Sequence, residues 1–162
     1  ISIYNIIIYI IYMFLEDISD LDAIVSPVSG GGLISGILCF AKQLRSNIKV
    51  YGAEPSEADD AYRSIKEGKI VSNKSTNTIC DGLRAQIGTI TFPIVSSMCD
   101  GILRVDEDEI IESMKMIWDR MKIIASIKLT KDYKHWKNAI ESDHHKKARE
   151  DSGIYFLEYR YQ

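Results

Sequence analysis

Residues 26–37 read SPVSGGGLISGI, and three consecutive glycines between an apolar run and a helical pattern are the first chemistry this chain offers. Glycine costs backbone entropy wherever it is fixed, so a triplet implies that the main chain itself is being used. The N–H groups of Gly30, Gly31 and Gly32 stand just ahead of a helix N-terminus, with no side chains to block approach, and can converge on a phosphate. Hydrogen bonds to a charged group contribute roughly 1.5–3 kcal/mol each, so three or four would hold a phosphate without a lysine. Ser29 adds a hydroxyl at the loop's entry. A P-loop is excluded, because G-x-x-x-x-G-K-[ST] is absent and Lys42 lies too far along the helix. Two other readings of the glycines stay open at this point. One is a tight strand-to-helix turn with close packing. The other is a dinucleotide site, since Gly30, Gly32 and Gly36 approximate the fingerprint and Glu54 falls where a ribose contact would.

The elements that must position this loop follow from pattern. LDAIVSPV (21–28) has the form of a strand buried on both faces, and Leu33–Arg45 reads as a helix with Leu33, Ile37, Phe40, Ala41 and Leu44 on one side. IKVYGAE (48–54) is a second strand. SEADDAYRSIKEGK (56–69) reads as a helix with Ser56 as N-cap. TFPIVSSMC (91–99) suggests a short helix near Pro93, and GILRV (101–105) another strand. Asp106–Ile124 is the clearest helix, with acids in its first turn and a stripe of Ile110, Ile111, Met114, Ile117, Trp118, Met121 and Ile124 expected in the core. Strand, glycine loop, helix, strand, helix implies an α/β fold with parallel strands and right-handed crossovers.

Composition narrows the class. The chain has 162 residues, 46% hydrophobic and 27% charged, and a net charge of −3, which suits one globular domain. No basic stripe with aromatics appears, so nucleic acid is not an expected partner. Cys39, Cys80 and Cys99 are scattered, arguing against a disulfide framework and for a reducing, cytoplasmic setting. The opening ISIYNIIIYIIYMFL lacks a starting Met and a basic n-region and is too short for a membrane span, so we read residues 1–19 as a buried but atypical segment of a truncated chain, strand or helix. Residues 125–162 form a charged tail, in which His144 and His145 are adjacent and point apart.

Three motifs in register carry a resemblance. SGGGLISGI, YGAEPSEADDAYRS and TNTICDGLRAQIG, followed by DEDEIIESMKMIWDRMK, are similar to the serine racemase and serine/threonine dehydratase family of pyridoxal-phosphate enzymes, over about Asp20–Ile124. The resemblance implies the tryptophan-synthase-β-like fold, a three-layer sandwich with a mostly parallel sheet, here incomplete, with residues 20–124 as part of the large domain. It implies pyridoxal 5′-phosphate held by Ser29, Gly30, Gly31, Gly32 and Leu33, with Asp81 and Gly82 near the cofactor ring. It implies Mg²⁺ or Ca²⁺ on Glu54, the Ala58 carbonyl and Asp60, a donor set that suits a hard cation, and leaves Asp59 to the helix dipole or the surface. Substrates would be L-serine or L-threonine, the full-length protein a homodimer, and no membrane is implied.

The sequence also departs from the family. The aldimine-forming lysine in its Ser-x-Lys-x-Arg-Gly context, the Ser-Gly-Asn-His segment and the closing Ser-Gly-Gly-Asn loop are all missing, and Ser126 stands where a glutamate is usual. The expectation is therefore a piece of a racemase or dehydratase, inactive alone; a non-catalytic binding paralogue and a Rossmann-type NAD(P) domain are the alternatives.

Overall fold

A computed structural model describes residues 9, 11–13, 15–18 and 20–122, all within one compact unit, Ile1–Lys128. Three strands, β1 (Ala23–Pro27), β2 (Lys49–Pro55) and β3 (Gly101–Val105), form a parallel sheet in the order β1-β2-β3. Helices α1 (Gly32–Leu44), α2 (Asp60–Glu67), α3 (Thr91–Met98) and α4 (Glu107–Met121) lie between and after them. A parallel strand pair needs a crossover, and here α1 provides the first and α2 with α3 the second. The expected α/β class and all three strands are present.

The core explains the elements and corrects several expectations. In α1 the buried apolar side chains are Ile34, Ile37, Leu38 and Ala41, an i, i+3, i+4, i+7 stripe. Leu33 and Leu44 are instead exposed and Phe40 half-buried, because the true stripe starts one residue later than the sequence suggested. Ile48 just before β2, Val50 on β2 and Val95 on α3 join the same cluster. Ile11 and Leu15 do so as well, and residues 11–13 and 15–17 are helical, which resolves the strand-or-helix ambiguity there; Ile7, Ile10 and Phe14 lie outside the described residues. No helix among the described residues is long and apolar enough to cross a membrane.

β1 is not buried on both faces. Val25 is 58% exposed and Leu103 of β3 is 47% exposed, so no described element covers that side of the sheet there. α4 begins with a capping box, Asp106 with Glu109, as its acidic first turn foretold. Its apolar stripe is less buried than expected. Only Met114 is in the core, Ile117 and Met121 are exposed, and Ile124 lies outside the described residues, as does the whole of 125–162. Periodicity sets which side chains share a face and does not supply the element that covers them.

Two polar devices hold the frame. Asp100, just before β3, accepts from Lys42 Nζ at 2.6 Å, from Lys49 Nζ at 3.0 Å and from the Val50 amide at 2.9 Å, joining the last turn of α1 to β2 and β3. The long segment between α2 and α3 has only one short 3₁₀ turn, Asp81–Leu83, and is pinned by side chains instead of a ladder. Arg63 donates to the Ser72 carbonyl, Ser64 Oγ accepts from the Val71 amide, and Glu107 accepts from the Ile79 amide. Buried backbone groups in such a segment need these partners.

The lysines, Lys42 foremost, and the Val50 amide hold the Asp100 carboxyl well below the usual carboxylate range. A depressed folded-state value means stability that is present above the ordinary pKa of about 3.9 and lost as pH falls below it. Replacing Asp100 with Ala strands the Val50 amide and is expected to cost about 1–3 kcal/mol at pH 7. In urea titrations the gap between wild type and Asp100→Ala should narrow as pH drops below about 4, where Asp100 of the unfolded chain takes up a proton while the folded carboxylate stays ionised.

Candidate functional site: the triglycine loop and its supports

The loop between β1 and α1 is shaped by two residues in the left-handed region, Ser29 at φ 50° and Gly31 at φ 82°. The three glycines do different things. The Gly31 amide donates to the Val28 carbonyl at 2.9 Å, closing the turn, so it is spent inside the protein and is not one of the outward donors the sequence suggested. A Cβ on Gly31 would lie 2.7 Å from Thr91 Oγ1 and 2.8 Å from Thr91 Cβ. A Cβ on Gly32 would meet nothing within 4 Å, which leaves open space at the mouth of α1.

Peptide geometry sets where the remaining amides point. The Gly31 carbonyl accepts from the Ser35 amide at 3.0 Å, so it runs down the helix. In a trans peptide the next N–H points the opposite way, which directs the Gly32 N–H out of the helix end. The amides of Gly30, Gly32 and Leu33 have no protein acceptor among the described residues, and α1 has no side-chain N-cap. Orphan donors at a helix N-terminus attract an anion through both hydrogen bonding and the dipole. Three such donors beside a glycine with open space can receive a phosphate oxygen each.

The loop is clamped from behind. The Gly30 carbonyl accepts from Thr91 Oγ1 at 2.7 Å and from the Gly88 amide at 3.2 Å. Ser29 Oγ donates to the Gly82 carbonyl at 3.0 Å. Two of the sequence's candidate segments are thus joined directly, and the 87–91 turn, to which the sequence reading gave no role, is the main support. No periodicity marks Thr91 or Gly88, whose shared partner Gly30 lies far back in the chain. Cys80 is half-buried and its thiol is pushed up chiefly by burial, so it stays a neutral packing group. Asp81 pairs with Arg84 at 3.7 Å.

The acidic candidates cluster at the carboxyl end of β2, Glu54 within the strand and Asp59 and Asp60 just beyond it. Glu54 is 3% exposed and accepts from the Ala61 amide at 3.3 Å and the Tyr62 amide at 3.0 Å. Burial, followed by the nearby Asp60 and Asp59 charges, outweighs those two amides and pushes its carboxyl up to about 7. A side chain so enclosed is not placed to meet a ribose. Asp60 is 1% exposed, accepting from Asn73 Nδ2 at 2.7 Å and from the Ile87 amide at 2.7 Å. Ala58 is buried beside them in a 3₁₀ turn, Ser56–Ala58, and α2 starts only at Asp60, so Ser56 is not its N-cap. Asp59 makes no cap either. It pairs with Arg63 at 2.7 Å and Arg104 at 3.2 Å, and Arg104 also stacks on the Tyr62 ring at 4.5 Å. No group of three acidic, histidine or cysteine side chains among the described residues could hold a metal; the candidate set here is two carboxylates and a carbonyl.

A family profile described as pyridoxal-phosphate dependent enzyme matches residues 3–128. The chain belongs to that family. It is 52% identical over 112 residues to a serine racemase of Dictyostelium discoideum, covering 68% of this chain and 35% of the relative. Among solved structures, maize serine racemase superposes with a TM-score of 0.70 at 41% identity, over 72% of this chain and 36% of that one. The processed form of threonine deaminase isoform 2 from Solanum lycopersicum gives a TM-score of 0.69 at 32% identity, over 73% of this chain and 33% of that one. The fold is therefore that of the tryptophan-synthase-β-like pyridoxal-phosphate enzymes, and the chain spans about a third of the length of the curated relatives it matches. The Rossmann alternative is not favoured.

Gly31 and Gly32 should respond oppositely to alanine. Gly31→Ala forces a left-handed alanine into Thr91 and is expected to lose at least about 1–3 kcal/mol in urea unfolding. Gly32→Ala is expected to leave stability unchanged or raise it by about 0.4–1 kcal/mol.

Proposed function

We propose that this chain is the phosphate-holding part of a pyridoxal 5′-phosphate enzyme that racemises L-serine or dehydrates L-serine or L-threonine. The observation that carries the reading is the set of unpaired amides at Gly30, Gly32 and Leu33, at the open N-terminus of α1, in a chain of this family. The residues present fit the group: the loop offers donors and space where a dianion needs them, and Gly82, tied to Ser29, stands beside it. When bound, the cofactor supplies an electron sink for the carbon that loses its α-proton. This chain's own residues bind and orient it. Ser29 acts through its bond to Gly82, and Gly31 acts by shaping the turn.

Glu54, Asp60 and the Ala58 carbonyl fit a hard cation, Mg²⁺ or Ca²⁺, as the second component of the reading. Each carboxylate oxygen accepts one N–H and keeps a lone pair; Glu54 is raised first by burial and then by the neighbouring Asp60 and Asp59 charges, and a divalent ion would offset both. Waters would complete the coordination. A homodimeric full-length protein in the cytoplasm belongs to the same reading.

Residues 1–162 contain no Ser-x-Lys-x-Arg-Gly segment to supply the cofactor-linking lysine, so we expect no turnover by this chain alone. The test pairs binding with activity. The chain should bind 4-deoxypyridoxine 5′-phosphate, which has no aldehyde, and not 4-deoxypyridoxine. Gly32→Ala keeps the N–H but puts a Cβ into the open space the phosphate needs, and should weaken that binding by about tenfold or more. Incubated with pyridoxal phosphate and L-serine, the chain should yield neither pyruvate nor D-serine. Product formation with an absorbance band removed by borohydride would overturn the inactivity, and equal affinity for the phosphorylated and unphosphorylated compounds would overturn the cradle.

A further inference from the structure

A buried carboxylate that serves only as a metal ligand has no need to reach across to a different loop. Asp60 does so. Its Oδ2 accepts from the Ile87 amide at 2.7 Å, while its Oδ1 is fixed by Asn73 Nδ2 at 2.7 Å. Asn73 is itself oriented, because its Oδ1 accepts from Arg63 Nη2, and Arg63 is held by Asp59, which also binds Arg104 of β3. On the other side, the residue after Ile87 is Gly88, whose amide donates to the Gly30 carbonyl and to Thr91 Oγ1, and Thr91 Oγ1 donates to Gly30. The two halves meet at the 87–91 turn.

We infer that Asp60 is a positioning residue for the phosphate cradle: by anchoring the Ile87 amide it fixes the turn whose Gly88 and Thr91 clamp the Gly30 carbonyl. The inference rests on the proposed phosphate role of the triglycine loop and adds to it a residue outside that loop. The physical logic is that of preorganisation. The segment from Gly68 to Ile90 has little regular structure, and the 87–91 turn has few ways to be held. A charge-assisted bond to a buried amide is one of the stronger ones available. Ile87 is 2% exposed, so its amide has no water to take the place of the carboxylate. If the turn relaxes, Gly30 can rotate, and the amides of Gly30 and Gly32 lose their common aim. The role needs no metal, although it does not prevent one from binding the remaining lone pairs.

The test uses the whole chain and the aldehyde-free phosphate 4-deoxypyridoxine 5′-phosphate, titrated calorimetrically into wild type and Asp60→Asn, each with Mg²⁺ and with EDTA. Asparagine keeps the shape but can accept at only one of the two positions. The expected result is about tenfold weaker binding in the variant, the equivalent of one charged hydrogen bond, in both buffers. Hydrogen exchange at Ile87 and Gly88 in the unliganded protein should accelerate by a similar factor. Loss of affinity in Mg²⁺ with wild-type affinity in EDTA would reduce Asp60 to a metal ligand and overturn the inference. So would unchanged affinity together with unchanged exchange at Ile87. Should Asp60→Asn fail to fold, Asn73→Ala decides, because it frees the other carboxylate oxygen: weaker phosphate binding in EDTA supports the role and wild-type binding overturns it. If wild type itself binds no phosphate compound, the reading of the loop has failed before Asp60 is tested.

Discussion

The Gly30 carbonyl, held by the Thr91 hydroxyl and the Gly88 amide, is the constraint on which the site depends. A run of three glycines is the most mobile stretch a chain can carry, and it becomes a receptor only if something outside it removes that freedom. Two donors on one carbonyl do this for the Gly30–Gly31 peptide. The Gly31 amide then closes on Val28, the Gly31 carbonyl enters the helix, and the Gly32 amide is left facing outward. Each step is forced by the one before it, because a planar trans peptide couples the direction of every carbonyl to that of the next N–H.

The same logic explains why the acidic cluster and the glycine loop belong to one account. They lie at the ends of adjacent parallel strands, β1 and β2, paired from Ala23 with Lys49 to Pro27 with Ala53. In open α/β sheets ligands gather at the carboxyl ends of the strands, where loops can differ while the sheet stays fixed. Here the loop after β1 offers amides, and the end of β2 with the turn that follows it offers carboxylates. Opposite chemistries are thus set close together on one rigid edge, and the 87–91 turn is the piece that touches both.

Much of the frame was legible in the residues. β2 and β3 announce themselves by apolar runs, α4 by its acids, and the phosphate-like loop by SGGG before a helical pattern. The motif resemblance gave the family. What could not be read were decisions made by partners distant in the chain. Nothing about Gly31 says that its amide rather than its neighbours' is consumed, since that follows from the position of the Val28 carbonyl, or that Thr91 leaves no room for a Cβ there. Leu33 and Leu44 fit a helical stripe about as well as Ile34 and Leu38 do, and only the direction of the sheet chooses between them. Asp59 and Asp60 are adjacent acids at a helix start, yet one pairs with two arginines on the surface side while the other is buried against a loop amide. Local sequence carries propensity, and these outcomes are set by tertiary contacts.

The most direct measurement is an amide-resolved ¹H–¹⁵N titration of the chain with a phosphate monoester of the cofactor. The account predicts downfield movement of the Gly30, Gly32 and Leu33 amide protons, with Gly31, already bonded to Val28, left in place. Saturable binding that leaves those three signals unmoved, or that shifts Gly31 in their stead, would contradict it.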